Sequence, residues 1–130
     1  MDIQTPRGTK DILPTEIGAW QALELLLRKQ AQYFGFTEIR TPVFEHTDLF
    51  ARGIGEQTDV VGKEMYSFLD KGETSLTLRP EMTAGITRSV IEHTMLEQQG
   101  TVRLWAVGPA FRQDRAGMSY VPKTAARWRS

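Results

Sequence analysis

Cysteine is absent from the 130-residue chain, which excludes a disulfide framework, a thiolate zinc site and a cysteine nucleophile. Net charge is absent as well: sixteen Lys and Arg balance sixteen Asp and Glu. No overall basic field draws the chain to nucleic acid or to an anionic membrane. No apolar run approaches the ~20 residues needed to cross a bilayer, and the opening MDIQTPRGTKD has no secretory core. These absences lead to the expectation of a soluble cytoplasmic protein with no membrane partner. Generic motifs are missing too. Gly53 and Gly55 begin a G-x-G, but Thr58 occupies the place of the third glycine, and no phosphate-binding G-x-x-x-x-G-K-[ST] is present. His46 and His93 are too far apart for a metal-binding H-E-x-x-H, so no metal ligands are assigned. Ser67, Ser75, Ser89 and Ser119 lie in no nucleophile context.

What remains is ordinary globular composition, 40% hydrophobic and 25% charged, on a chain long enough to bury roughly two-thirds of its unfolded surface. The charge is uneven, however. All sixteen acids precede residue 116, whereas AGMSYVPKTAARWRS (116–130) contains only the cations Lys123, Arg127 and Arg129. Apolar residues recur in steps of three and four at Ile17, Trp20, Leu23, Leu27, Ala31 and Phe34, which predicts a helix capped by Gly35. Residues 36–44 predict a strand, and Pro42 in its middle makes it an edge or interface strand. A short helix is expected over 48–52, and 65–69 and 75–78 predict a hairpin turning at Asp70, Lys71 and Gly72. A helix follows over 81–99, ended by Gly100, then a strand over 102–107 that resumes at 110–115. Hairpin-paired strands with helices inserted between them indicate an α+β domain on a largely antiparallel sheet.

Two stretches carry candidate chemistry. In Leu78-Arg79-Pro80-Glu81-Met82-Thr83-Ala84-Gly85, Glu81 and Thr83 sit where a strand hands over to a helix. Stabilisation of the helix's first turn explains them without function. Alternatively, a fixed carboxylate and a hydroxyl can hold the ammonium group of an amino acid by charge-assisted bonds. In Val107-Gly108-Pro109-Ala110-Phe111-Arg112-Gln113-Asp114-Arg115, strand alternation puts Arg112 and Asp114 on one face. They form either a solvated pair or, through the planar fork of Arg112, a phosphate site.

Together these residues resemble a family. RGTKDILP (7–14), GFTEIRTPVFE (35–45), GIGEQTDVVGKEMY (53–66), LTLRPEMTAG (76–85) and RLWAVGPAFRQDR (103–115) are similar, in order, to the start of the catalytic domain of class II aminoacyl-tRNA synthetases in their histidyl version. The resemblance implies an N-terminal portion of that domain over 1–115. The first class-defining motif lies near 35–45, with Pro42 at a homodimer interface, and the first strand of the second motif lies near 103–115. It implies that Glu81 and Thr83 hold the α-amino group of histidine. Arg112 would be the catalytic arginine, on the ATP α-phosphate and the histidine carboxylate. Asp114 would stand near the adenine, where the family usually has the longer Glu. The implied substrates are histidine, ATP with Mg²⁺, and the histidine tRNA.

The resemblance stops after Arg115, and the basic tail 116–130 shows no family strand pattern. The expectation is a chain truncated within the second motif by a frameshift, a fragmentary gene model or a natural early stop, and inactive alone. Three functions compete: part of a histidine-specific tRNA ligase, the synthetase-like regulatory subunit of ATP phosphoribosyltransferase, which charges no tRNA, or a remnant whose basic tail touches nucleic acid. Glu81, Thr83, Arg112 and the GIGEQTDVV block favour the ligase.

Overall fold

The computed structural model describes residues 2–53, 65–113 and 126–129. The elements in order are α1 (Ile17–Tyr33), β1 (Thr37–Glu38), β2 (Phe44–His46), α2 (Thr47–Gly53), β3 (Ser67–Leu69), β4 (Ser75–Leu78), α3 (Thr83–Glu92), α4 (Met95–Gln99), β5 (Thr101–Trp105) and β6 (Ala126–Arg129). The strands form two three-stranded sheets, ordered β1-β5-β6 and β2-β4-β3. All pairings are antiparallel except β1 with β5, where Thr37 faces Leu104. The expected α+β architecture with a largely antiparallel sheet is present.

Helix α1 ends as the sequence predicts. Gly35 takes a φ of 76°, and its N–H and that of Phe36 return to the carbonyls of Gln32 and Ala31, satisfying acceptors that the helix end leaves open. The apolar stripe of α1 is only partly covered: Ile17, Trp20, Leu27 and Ala31 are half-buried, while Leu23 and Phe34 remain exposed. The predicted strand 36–44 is instead two short strands in two different sheets. Ile39 N–H still bonds Trp105 O, after which the chain leaves that sheet, passes Pro42, and enters the other at Phe44. Without an N–H, Pro42 cannot continue a ladder, and the switch happens around it. Both β1 and β2 are edge strands, as the proline led us to expect.

The hairpin is as read, with β3 two residues shorter at its start. Asp70 Oδ1 accepts the N–H groups of Gly72 and Thr74, closing the turn through a side chain. The predicted single helix 81–99 is two helices. Thr94, a β-branched residue, adopts φ 48° and ψ 37° between them, a left-handed conformation costly for its side-chain type. The break turns α4 so that Met95 and Leu96 pack against the core formed by Met82, Ile86, Val90, Val102, Leu104 and Ala106. Helix α3 thus lies on β5. Two further departures lie at the C-terminal end. Residues 106–113 form no strand, so β5 does not resume at 110, and four residues of the basic tail pair with β5 as β6.

Charge is used to tie α3 to the second sheet. Glu45 on β2 is 8% exposed, and its Oε1 accepts from Arg88 Nη2 at 2.9 Å and Nε at 3.3 Å. Arg88 also pairs with Glu92 one turn along. The hydrogen bonds that Arg88 donates to Glu45, outweighing partial burial, push its guanidinium above the usual arginine range. A raised cation contributes its stability at every pH below its ordinary value and loses it only as pH rises through the folded one, so the contribution is constant across neutral pH. The pair approaches α3 where Gly85 leaves room: a Cβ there would meet Glu45 Oε1 at 3.0 Å and Thr41 Oγ1 at 3.2 Å. Gly→Ala within a helix ordinarily gains about 1 kcal/mol. Here we expect Gly85→Ala to lose about 1–2 kcal/mol by overpacking, seen as a lower urea midpoint at unchanged slope; a midpoint at or above wild type would show that Glu45 yields without cost.

Candidate functional site

The candidate residues sit on two irregular segments that the sheets bring side by side. The first runs from the end of β4 into α3 and contains Arg79, Pro80, Glu81 and Thr83. The second, 106–113, leaves β5 and contains Phe111 and Arg112. Arg79 C=O accepts the N–H of Phe111 at 2.8 Å, while Arg79 N–H donates to Val43 O at 2.8 Å. A single backbone bond therefore registers the segment of Glu81 against that of Arg112, two residues and one residue away.

Glu81 is half-buried, and its carboxylate accepts the N–H groups of Thr83 and, at 2.9 Å, Ala84. The helix-entrance reading of Glu81 is thus realised: it satisfies donors that α3 leaves unpaired in its first turn. This does not exhaust the group. A carboxylate has about four acceptor sites, and two amides fix its orientation while leaving capacity for an ammonium. Thr83 is exposed; its carbonyl accepts from Thr87 Oγ1, and its hydroxyl makes no hydrogen bond to another described residue. Arg112 is half-buried, without a hydrogen bond or ion pair to another described residue. Glu81 and Thr83 are brought together directly, and Arg112 is joined to them only through the Arg79–Phe111 bond. Asp114 lies outside the described residues, as does most of the 53–66 block. Pro42 is exposed at the crossing between sheets.

Sequence reasoning assigns Arg79 no role. It is 5% exposed. Its Nε donates to Pro109 O at 2.8 Å and its Nη1 to Thr41 O at 3.1 Å. A Cβ on Gly108 would lie 2.5 Å from Nη2, so the glycine is what lets the guanidinium fit. Pro109 in turn lines two cavities of similar size. One, of about 350 Å³, is lined by Arg79, Met82, Trp105 and Gly108; the other, of about 360 Å³, by Thr9, Lys10, Trp20 and Phe111. A signal was present in the sequence: an arginine between Leu78 and Pro80, where an apolar strand is ending, needs a compensating partner if buried. Its partners, Thr41 and Pro109, are remote in sequence.

Among the described residues no three His, Cys, Asp or Glu side chains converge as a metal site.

Comparison with known proteins follows the same lines. The sequence profile of the histidyl-tRNA synthetase family matches residues 8–124. The chain is 60% identical over 113 residues to a histidine–tRNA ligase of Cyanothece sp., covering 87% of this chain and 26% of that protein. It is 58% identical over 114 residues to the Microcystis aeruginosa ligase, covering 88% and 27%. The crystal structure of apo histidyl-tRNA synthetase from S. aureus superposes with a TM-score of 0.73 at 45% identity, over 85% of this chain and 26% of that one. A Bacillus halodurans protein described as an ATP phosphoribosyltransferase regulatory subunit/histidyl-tRNA synthetase gives 0.75 at 20% identity, over 98% and 31%, a likeness of fold alone. The chain spans about a quarter of the length of the curated relatives it matches. With its profile match spanning most of its length, and the α+β arrangement of that fold, the chain belongs to the histidyl-tRNA synthetase family.

Proposed function

We propose that residues 1–115 are the N-terminal portion of a histidine–tRNA ligase catalytic domain, working in the cytoplasm as part of a homodimer. The observation that carries this reading is the registration of a fixed carboxylate at a helix entrance against an arginine-bearing segment, within a chain 60% identical to a histidine–tRNA ligase. In this reading Glu81, oriented by two amides, and the Thr83 hydroxyl receive the α-ammonium of histidine. Arg112 faces the histidine carboxylate and the α-phosphate of ATP, with Asp114 toward the adenine. A histidine carboxylate oxygen attacks the α-phosphorus, forming a new P–O bond. The bond to the bridging oxygen breaks, and pyrophosphate leaves with its electron pair. A ribose hydroxyl at the 3′ end of the histidine tRNA then attacks the acyl carbon, releasing AMP. Charge spreads over the phosphoryl oxygens in the first step, so a positioned guanidinium lowers its barrier electrostatically.

The regulatory-subunit alternative is not favoured: the relatives at 55–60% identity are ligases, whereas the protein described as a regulatory subunit is 20% identical. The dimer reading rests on the chain around Pro42. Val43, Phe44, Phe68 and Leu69 are exposed apolar residues on the β2 and β3 edges, with Phe44 and Phe68 in edge-to-face contact at 6.4 Å.

Three measurements on a complete ligase beginning with this chain test the reading. Arg112→Ala is expected to lower histidine-dependent pyrophosphate exchange by about 2–5 kcal/mol in transition-state stabilisation; near-wild-type exchange would remove Arg112 from the reaction. Glu81→Gln keeps an oxygen to cap α3 but loses the charge, and should raise the histidine KM by the worth of a charged hydrogen bond, about 1.5–3 kcal/mol, with ATP KM unmoved. Phe44→Asp should shift sedimentation from dimer toward monomer, and an intact dimer would place the interface elsewhere.

A further inference from the structure

We infer that Arg79 is the positioning residue of this site, fixing the distance between the end that holds the amino group of the amino acid and the end that holds the phosphate. The inference rests on the functional reading above and adds to it a residue that touches neither substrate.

Four observations converge. The peptide of Arg79 bonds Val43 O on one side and Phe111 N–H on the other. Its guanidinium bonds the carbonyls of Pro109 and Thr41. It is buried, at 5% exposure. Finally, Gly108 offers the space its Nη2 occupies. Residues 106–113 form no strand and pair with none among the described residues, so their buried peptide groups need other partners, and Arg79 meets two of the segment's groups, Pro109 C=O and Phe111 N–H, from one residue. Arg112 follows Phe111 directly. On the other side only Pro80 separates Arg79 from Glu81, and its ring fixes φ near −65°. The path from the ammonium acceptor to the phosphate arginine is therefore short and has few free torsions. A lysine at position 79 can reach one carbonyl but lacks the planar fork that spans both.

This role predicts a signature that loss of stability alone does not produce. Each half-site stays intact when Arg79 is replaced, and only the spacing between them changes. Histidine alone and ATP alone should bind almost normally, whereas anything that occupies both ends at once should suffer.

In a complete ligase beginning with this chain, Arg79→Lys is assayed calorimetrically for histidine, for ATP and for a non-hydrolysable sulfamoyl analogue of histidyl-adenylate, alongside the turnover of pyrophosphate exchange. We expect the separate substrates within about threefold of wild type, and the joined analogue and kcat both reduced roughly 100-fold, the scale of an ångström of misplacement. Gly108→Ala, which pushes on Nη2 at a position without left-handed backbone, should give the same split and carries the test if Arg79→Lys does not fold. Analogue affinity that stays at wild type, or that falls no further than the separate substrates do, overturns the positioning role while leaving the ligase reading in place. A wild-type protein that binds neither histidine nor ATP overturns both.

Discussion

The structure depends on one constraint: a run of backbone from Ala106 to Gln113 leaves the sheet with no strand beside it among the described residues, and its buried polar groups still require partners. Arg79 meets two of them, Pro109 C=O and Phe111 N–H, by an arrangement that combines peptide and side chain in a single residue. Burying a guanidinium is expensive unless its donors are used, and here at least two go to carbonyls that would otherwise lack a strand partner. The cost of burying charge and the cost of an unpaired loop offset one another. Gly108 completes the arrangement, because a side chain there would displace the cation.

A second economy lies at the entrance of α3. Glu81 caps the first turn through the amides of Thr83 and Ala84, which holds its carboxylate in one orientation. The structural and functional readings of this residue, which compete when only the sequence is considered, describe the same atoms. A carboxylate immobilised by the helix is one that a bound cation need not immobilise again.

Where the chain signals its own geometry locally, the sequence was sufficient. Gly35 and Gly100 close their helices in positive-φ conformations, and Asp70, Lys71 and Gly72 make the hairpin turn. Pro42 correctly marked an edge, although not the exchange of sheets that occurs around it. What was illegible has remote causes. Thr94 breaks a helix whose periodicity continues through it, and beyond the break Met95 and Leu96 pack against a core that includes the distant strand residues Val102 and Leu104. Arg79 interrupts a pattern for the sake of Thr41 and Pro109, each some thirty or more residues away. The bonding of Glu81 could be argued from its place at a helix start, whereas for Thr83 and Arg112 the residues alone offered a general ammonium and phosphate chemistry, and only family likeness attached the proposed histidine and ATP roles to it.

The parallel pairing of β1 with β5 joins Thr37 to Leu104 and Glu38 to Trp105, whereas β3 and β4 meet across a five-residue turn. Closing a long loop costs more entropy than closing a short one, and slow assembly follows from distant partners. During synthesis the hairpin has its complement as soon as it emerges. The edge of β1 must wait, solvated and open to foreign strands, until nearly the last of the described segments has left the ribosome. In this chain the order of translation and the order of sheet assembly are set against each other.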